Sequence, residues 1–294
     1  MRLTCCTRLI VFMIRPLEAQ TGVAMKSAIA VAAVAIGLWA LPVSQASAAD
    51  SALQSAIAGP QRSAAHVKRD AVRHPQEELE FFGLRPDMTV VEISPGGGYW
   101  TEILAPYLKA TGTYYVAVVP PNDSDYVPPD KDKYRQMLAI DKGNYGKVRI
   151  TELGKDHYKV APDGSADLVV TFRNLHNWVG DGYAKEALQG FYRALKPGGI
   201  LGIEDHRART DKLQDPKAEN GYVRQDYAIE LAKKAGFEFV GSSEIDANPR
   251  DTKDYPEGVW TLPPTLTLKD KDREKYLAIG EADNFVLKFR KPSK

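Results

Sequence analysis

The chain has 294 residues, of which 39 are Lys or Arg and 38 are Asp or Glu, so its formal net charge is +1. A hydrophobic share of 44% beside 26% charged residues is typical of globular proteins and excludes an intrinsically disordered chain. The near-neutral charge argues against a broad nucleic-acid-binding surface, and the length favours one large domain or two small ones.

The N-terminus has the three parts of a secretory signal peptide. Met25 and Lys26 provide a basic start, residues 28–43 are apolar, and residues 46–48 (Ala-Ser-Ala) form a small-residue cleavage site. The apolar stretch is shorter than the ~20 residues that cross a bilayer, which favours cleavage over retention as a membrane anchor. Residues 1–24 are then either a long basic extension or the result of a start codon assigned upstream of Met25.

Cleavage after Ala48 would remove residues 1–48, and with them both cysteines, Cys5 and Cys6. The mature chain then has no disulfide framework, no thiolate metal site and no cysteine nucleophile. We therefore expect an exported protein, periplasmic or secreted, without a stable membrane anchor. Residues 49–65 are rich in Ala, Ser and Gln and predict a flexible leader ahead of the fold.

Helical and extended patterns alternate along the rest of the chain. Apolar residues at helical spacing predict helices over residues 66–84 (interrupted at Pro75), 99–109, 134–141, 182–195 and 223–235. Apolar runs and alternating apolar residues predict strands over residues 89–93, 114–119, 147–153, 166–172, 200–204, 237–245 and 284–290. Seven strands separated by helices predict a single doubly wound α/β domain over residues 66–294, with a mostly parallel sheet and an antiparallel last strand.

Doubly wound sheets bind ligands at the carboxyl ends of their strands, near the point where the strand order reverses. The residues that follow Ile93, Phe172 and Glu204 are therefore the candidates for a site. Residues 248–283 contain four prolines and little periodicity. A loop of that length in a compact domain is usually functional, so this segment predicts a lid beside the site.

The turn after the first strand is glycine-rich, with Ser-Pro-Gly-Gly-Gly at residues 94–98. Its backbone can approach a ligand closely, and the helix that follows offers free N–H groups. A dinucleotide fingerprint fails because Thr101 takes the place of the third glycine and no acid ends the second strand. A P-loop fails as well, because no Gly-Lys-Ser/Thr follows. A tight turn without a ligand remains the structural alternative.

Four motifs carry a resemblance to a known family: Val-Val-Glu-Ile-Ser-Pro-Gly-Gly-Gly-Tyr (90–99), Pro-Asp-Gly-Ser-Ala-Asp-Leu-Val (162–169), Phe-Arg-Asn-Leu-His-Asn-Trp (172–178) and Arg-Ala-Leu-Lys-Pro-Gly-Gly (193–199). With these motifs the chain resembles the class I S-adenosylmethionine-dependent methyltransferases, and most closely a group of exported predicted methyltransferases. The resemblance covers most of residues 66–291. It implies a Rossmann-like methyltransferase fold with S-adenosylmethionine as the cofactor.

The resemblance also implies which residues hold that cofactor. They would be Glu92, Ser94, Gly96, Gly97 and Gly98 for the methionine part, Asp156 for the adenine amino group, and Arg173 and Asn174 for the methionine carboxylate or the substrate. Two departures stand out: Ser94 replaces the usual first glycine, and the acid that binds the ribose hydroxyls is missing at Val119 unless Asn122 or Asp123 substitutes for it. Losing that charge-assisted contact would weaken binding roughly ten- to a hundredfold.

Two histidines are the candidate catalytic residues. His176 follows the fourth predicted strand and His206 follows the fifth, so both belong to the expected ligand edge. Methyl transfer requires a nucleophile aligned with the sulfonium methyl, and an imidazole can remove the proton of that nucleophile. Either histidine could instead only cap a loop. A metal site from His176, Asp205 and His206 is chemically conceivable, but no close histidine spacing supports it, so no metal is predicted.

The leading functional hypothesis is methyl transfer from S-adenosylmethionine to a small-molecule acceptor, without nucleic acid as a partner. One alternative is a non-catalytic module that binds a small ligand on the same fold. The other is a histidine- or metal-assisted enzyme of different chemistry in the same cleft. The missing ribose acid favours the alternatives, whereas the glycine turn and residues 173–178 favour methyl transfer.

Overall fold

The computed structural model describes residues 45–120 and 131–293. Residues 1–44, which hold most of the predicted signal peptide, lie outside the described part of the chain. The two candidates for a substitute ribose contact, Asn122 and Asp123, lie outside it as well.

Strands and helices alternate along the described residues. The strands are β1 (Thr89–Ile93), β2 (Thr113–Val118), β3 (Arg149–Glu152), β4 (Ala166–Phe172), β5 (Leu195–His206), β6 (Glu238–Ser243) and β7 (Asn284–Arg290). The helices are α1 (Gln45–Ile57), α2 (Ala64–Val67), α3 (Asp70–Arg73), α4 (Pro75–Phe82), α5 (Thr101–Leu108), α6 (Lys131–Ile140), α7 (Lys142–Tyr145), α8 (Leu175–Gly180), α9 (Ala184–Ala194), α10 (Gln225–Lys234) and α11 (Arg273–Ile279).

The seven strands form one sheet in the order β3-β2-β1-β4-β5-β7-β6. Strands β1 to β5 pair in parallel, whereas β7 runs antiparallel to both of its neighbours, β5 and β6. The fold prediction is therefore confirmed: the protein is a doubly wound α/β domain with an antiparallel last strand. The strand order reverses between β1 and β4, which is where this architecture places its ligands.

The pairing register of the sheet places the ends of β1, β2, β4 and β5 at the same height along the strand direction. Ile93 of β1 lies opposite Ala117 of β2 and Thr171 of β4, and Phe172 lies opposite Glu204 of β5. The turns that follow β1 and β4 and the end of β5 consequently meet at one edge of the sheet.

The helices cover both faces of the sheet with apolar side chains. One core cluster includes Val91, Trp178 and Phe191 under α8, α9 and α10. The other includes Val90, Phe82 and Ile103 under α4 and α5. Because Val90 and Val91 belong to opposite clusters, β1 is buried on both faces, and its apolar residues Val90, Val91 and Ile93 could be recognised in the sequence.

Six of the seven predicted strands agree with the structure to within two residues at each end, whereas β5 begins five residues earlier than predicted and the first predicted helix is divided. Residues 66–84 form three short helices instead of one with a single interruption. His74 has a left-handed backbone (φ 37°) and Pro75 starts α4, so the chain changes direction between α3 and α4. A proline is well accommodated at a first helical position, which explains why it begins a helix here.

The structure also differs from the expectation of a flexible leader over residues 49–65. Gln45–Ile57 is a helix, and its Leu53 and Ala56 are buried in the core cluster beside α5. The predicted cleavage site at residues 46–48 falls in the first turn of this helix. Leu53, Ala56 and the partly buried Ile57 make the apolar contact, and the Ala- and Ser-rich composition around them concealed the helix. Among the described residues, no helix combines the length and apolar character needed to cross a membrane.

The predicted lid segment, residues 248–283, has its own small core. It contains a 3-10 helix (Gly258–Thr261) and α11, and it buries Val259, Leu262 and Tyr276 against Tyr222. The segment packs against the carboxyl edge of the sheet, where it forms one wall of the site described next.

Candidate functional site

A cavity of about 590 Å³ lies at the carboxyl edge of the sheet. Its walls come from the glycine turn, the ends of β2, β4 and β5, the N-terminal helices α2 and α3, and the 3-10 helix region. The volume falls within the range of small-molecule sites, roughly 300–1,000 Å³. The cavity is therefore large enough for a cofactor together with a small substrate.

The glycine turn presents open backbone to this cavity. Ser94 and Gly96 both have left-handed backbones, with φ values of 50° and 55°. A Cβ atom added to Gly96 would find nothing within 4 Å, so this residue faces empty space. At Gly98 (φ 89°) a Cβ would instead lie 2.8 Å from the Cε of Met137, so that glycine is required by packing against α6.

Asn174, which follows the neighbouring strand β4, is hydrogen-bonded to the start of the glycine turn. Its side-chain amide lies 3.2 Å from the carbonyl oxygen of Ile93 and 3.4 Å from that of Ser94. The same amide also reaches the Phe172 carbonyl at 3.1 Å. Since these bonds occupy its donor group, Asn174 fixes the position of the turn from β4.

Glu92 is a buried carboxyl group below the turn. Thr101 donates a hydrogen bond to its Oε2 over 2.7 Å, and the Tyr114 hydroxyl donates to the same oxygen. Burial raises the pKa of Glu92 to about 7, although these two hydrogen bonds act to lower it. Glu92 lines the cavity as the sequence predicted, and its hydrogen bonds also tie the end of β1 to β2 and α5.

His176 and Asp205 form an oriented pair on the cavity wall. Asp205 accepts from the backbone N–H of His176 over 2.8 Å, and its other oxygen lies 2.8 Å from His176 Nδ1. Burial acts to raise the pKa of Asp205, but the neighbouring His176 lowers it below its ordinary value. Because an ionised carboxylate only accepts hydrogen bonds, Nδ1 donates the hydrogen bond to Asp205, and Nε2 is the ring nitrogen that this pairing leaves available.

His206 lies beside this pair, and a hydrogen bond at its Nδ1 atom fixes the orientation of its ring as well. The ring centroids of His176 and His206 are 5.3 Å apart. Asn284 accepts from His206 Nδ1 over 2.7 Å and donates to Glu204 Oε1 over 2.6 Å. Burial lowers the pKa of His206 to about 3, so this imidazole is neutral at physiological pH.

The donor atoms of His176, Asp205 and His206 lie within 4.8 Å of one another, close enough for a shared metal ion. Metal-binding histidines usually donate their second ring N–H to a carboxylate or a carbonyl oxygen, and both rings here do so. The arrangement therefore has the chemistry of a two-histidine metal site as well as that of a general base.

Three arginines that line the cavity meet at one carboxylate. Arg69 donates two hydrogen bonds to Glu281, over 2.7 and 2.6 Å, and Arg173 donates one over 2.8 Å. Arg73 Nε is 3.9 Å from the same carboxylate. Burial acts to raise the pKa of Glu281, but Arg69 and Arg173 lower it below its usual value, so this group is ionised.

Most of the residues proposed from the sequence come together at this cavity. Those that line it are Glu92, Ser94, Gly96, Gly97, Arg173, Asn174, His176 and His206. Val119, which replaces the usual ribose-binding acid, lines it too.

The structure places Gly98 and Asp156 outside the cavity lining. Gly98 does not line the cavity, because it turns toward Met137. Asp156 is an exposed residue with φ 66° in the turn that follows β3, away from the cavity wall. The motif spacing located Asp156 along the chain but could not show that the turn directs it into solvent.

Several residues of the site were missed in the sequence. They are His66, Arg69, Arg73, Trp260, Glu281 and Asn284. The first three are spaced by three and four residues, a pattern that places cationic side chains on one helix face and could have been recognised. The Trp260 indole makes an edge contact with the His176 ring at 6.1 Å, and no local pattern around residue 260 predicts it.

Comparisons with known proteins agree with the fold. A family model described as "Methyltransferase domain" matches residues 65–241. A solved S-adenosylmethionine-dependent methyltransferase from Aquifex aeolicus is similar to the chain, with 17% identity over 82% of this chain and 98% of that one and a TM-score of 0.50. The cyclase SpnF is similar at 15% identity over 84% of this chain and 95% of its own, with a TM-score of 0.54. No curated protein matches the sequence.

Proposed function

Because this chain belongs to the methyltransferase-domain family, we propose that it binds S-adenosylmethionine and transfers the methyl group to a small-molecule acceptor rather than to a nucleic acid. Fold alone does not fix activity, since one fold hosts many chemistries. The proposal therefore rests on the cavity: an open glycine turn on one wall and an oriented histidine pair on another.

The glycine turn is the observation that carries the cofactor assignment. Gly96 leaves its Cβ position open to the cavity, so the backbone there can lie against a ligand. The hydrogen bonds of Asn174 to the turn keep that backbone in place. The residues that would hold the methionine part are then Ser94, Gly96 and Gly97, with Glu92 beneath them.

When bound, S-adenosylmethionine supplies an electrophilic methyl group on its sulfonium. Methyl transfer is an in-line displacement, so the chain's task is to align the acceptor and to exclude water. Trp260 and Pro263 belong to the segment that walls the cavity opposite the glycine turn, and we assign water exclusion to this wall.

His176 is the residue that we assign as the general base. Its Nδ1 atom is held by Asp205, which leaves Nε2 free to take the proton of an acceptor hydroxyl or amine. Asp205 also accepts from the backbone N–H of His206 over 2.8 Å, so the same carboxylate orients both histidine segments. Asp205 is accordingly a positioning residue, and His206 is a second candidate for contact with the acceptor.

Isothermal titration calorimetry with S-adenosylmethionine and S-adenosylhomocysteine tests the cofactor assignment. We expect binding by the wild-type chain and a loss of at least tenfold in affinity for Gly96→Val, because the new side chain would occupy the cofactor space. The matched control is Gly164→Val: Gly164 has φ 62° and an equally open Cβ position, but it is exposed and outside the cavity. Absence of heat at millimolar ligand would contradict the proposal.

We also propose export, with signal cleavage near Ala48. The support is the tripartite pattern of the first 48 residues and the loss of both cysteines with them. N-terminal sequencing of the exported protein tests this part. Residues before Ala48 in that protein would contradict it.

A second candidate function follows from the metal-binding geometry of His176, Asp205 and His206. In that case the cleft would bind a divalent metal ion between the two imidazoles, which would assist a reaction other than methyl transfer. Stoichiometric metal in freshly purified protein, lost in His176→Ala, would favour this candidate. Metal-free protein that binds the cofactor would exclude it.

A further inference from the structure

The arginine cluster consists of Arg69, Arg73 and Arg173. It carries more positive charge than binding of the cofactor requires. All three arginines line the cavity, whereas the residue whose carboxylate they share, Glu281, is not part of the lining. Glu281 thus pairs with the arginines without itself lining the cavity. Arginine is the side chain best suited to planar, bidentate recognition of carboxylate and phosphate groups.

Arg73 is the most unusual member of the cluster. It is only 5% exposed, and its Nε atom is buried without a hydrogen-bond partner. The guanidinium lies over the ring of Tyr99, whose centroid is 4.5 Å from Arg73 Cζ. A buried N–H group without a hydrogen-bond acceptor is costly, and an anionic ligand in the cavity would remove that cost.

The neighbouring acids are engaged by other partners. Glu204 accepts a hydrogen bond from Asn284 over 2.6 Å, and Asp246 lies 2.8 Å from His74 Nδ1. Asp70, the acid next to Arg69, already accepts two hydrogen bonds from Arg62 and one from Tyr99. Glu281 is therefore the carboxylate with which all three guanidinium groups are paired.

The cofactor alone accounts poorly for this excess of positive charge. S-adenosylmethionine carries a carboxylate, but it also carries an ammonium and a sulfonium group, which arginines repel. One guanidinium is enough to pair its carboxylate. At least part of the cluster is then available to a different anion in the same cavity.

We propose that the acceptor of the methyl group carries an anionic group, a carboxylate or a phosphate, and that Arg69, Arg73 and Arg173 bind it. The proposal rests on the methyl-transfer function inferred above. The remainder of the acceptor would lie between the anion site and the two histidines, against the aromatic rings of Tyr99 and Trp260, which line the same cavity. The bound anion would orient the nucleophile of the acceptor toward His176.

Titration of the full chain with simple probes tests the anion site without any turnover. The probes are benzoate, inorganic phosphate and, as an uncharged equivalent of benzoate, benzamide. We expect benzoate or phosphate to bind and benzamide to bind at least tenfold more weakly. The stronger of the two anions indicates whether the acceptor is a carboxylate or a phosphate. Equal binding of benzoate and benzamide, or no binding of either anion, would overturn the proposal.

The role of the arginines is tested by Arg73→Gln, which keeps a polar but shorter side chain and removes the charge. We expect anion affinity to fall about ten- to a hundredfold, and Arg73→Lys to restore part of it. Arg149→Gln is the matched control, because Arg149 also stacks on a tyrosine, Tyr115, but lies outside the cavity. Unchanged anion binding in folded Arg73→Gln would contradict the assignment.

Repeating the titrations with saturating S-adenosylhomocysteine separates the acceptor from the cofactor. If the cluster binds the acceptor, the anion still binds beside the cofactor product. If the cluster instead binds the cofactor carboxylate, S-adenosylhomocysteine displaces the anion and the proposal is wrong. A chain that binds the anion but not S-adenosylhomocysteine would refute the methyl-transfer function while leaving the anion site intact.

Discussion

The two sides of the cavity are built in different ways. The glycine-turn side consists of Glu92 and residues 94–98, a continuous segment between β1 and α5. The arginine–histidine wall consists of the arginine cluster with Glu281 and of His176, Asp205 and His206. Its Arg69 and Glu281 are separated by 212 positions in the chain. One side is local in sequence, and the other exists only after the whole domain has folded.

This difference separates two kinds of recognition. The glycine-turn side presents mainly backbone, which we propose accommodates the cofactor. The arginine–histidine wall uses charged and titratable side chains supplied by the N-terminal helices, by β4 and β5, and by the segment before β7. We infer that acceptor specificity resides in this wall, because charged and titratable side chains distinguish acceptors by their chemistry.

The largest expected effect is on catalysis at the arginine–histidine wall. His176→Ala removes the oriented imidazole and should lower kcat by about 10²–10⁴-fold once an acceptor is available, the usual contribution of a general base. Cofactor affinity, which belongs to the glycine-turn side, should change little. Steady-state kinetics and calorimetry measure the two quantities separately. The matched control is His157→Ala, an exposed histidine outside the cavity; equal loss of kcat and cofactor affinity in His176→Ala would indicate a structural role.

The next largest effect is on stability. Glu281→Gln removes the carboxylate shared by Arg69, Arg73 and Arg173 and leaves their charges unbalanced. The side chain of Glu281 is 11% exposed, so we expect a loss of about 2–4 kcal/mol in the free energy of unfolding. Urea denaturation measures this loss in the free energy of unfolding. Glu230→Gln breaks an exposed pair with Lys234 and should cost less than about 0.5 kcal/mol; similar losses in both variants would show that the cluster is not held by Glu281.

A smaller, pH-dependent effect is expected on the glycine-turn side. Burial raises the pKa of Glu92 to about 7, so the protonated form is favoured in the folded state. Its contribution to stability is fully present below the unfolded pKa of about 4.3 and is lost as the pH rises through 7. Glu92→Gln cannot ionise, so between pH 5 and pH 8.5 it should gain on the order of 2–3 kcal/mol of stability relative to the wild type.

Thermal denaturation at the two pH values tests this expectation, with a relative gain in Tm of roughly 4–8 °C between pH 5 and pH 8.5. Glu238→Gln, at an exposed position on β6, is the control and should behave like the wild type at both pH values. A difference between Glu92→Gln and the wild type that is the same at pH 5 and pH 8.5 would mean that ionisation of Glu92 plays no part.

The same contrast explains what the sequence could predict. Strands β1, β4 and β7 were predicted with correct limits, because apolar runs and alternation are local properties of the chain. The glycine turn was recognisable for the same reason. Glu281 and Asn284 could not be identified from the sequence, because their roles depend on contacts with Arg69 and His206, respectively. Both contacts form only in the folded chain, where the pairing of β7 with β5 places Asn284 opposite His206. Local sequence patterns predict helices and strands, whereas the arginine–histidine wall depends on how the strands are ordered and paired in the sheet.

The smallest expected effect is at a residue that motif spacing assigned to the cofactor. Asp156 is exposed, and it is not part of the cavity wall. Asp156→Ala should therefore leave affinity for S-adenosylmethionine within about twofold of the wild type, whereas a lost charge-assisted hydrogen bond would weaken it about tenfold or more. Calorimetry distinguishes these outcomes, with Asp163→Ala, another exposed acid, as the control. A tenfold loss confined to Asp156→Ala would mean that the turn after β3 closes onto the bound adenine, and the glycine-turn side would then also depend on a residue distant in sequence.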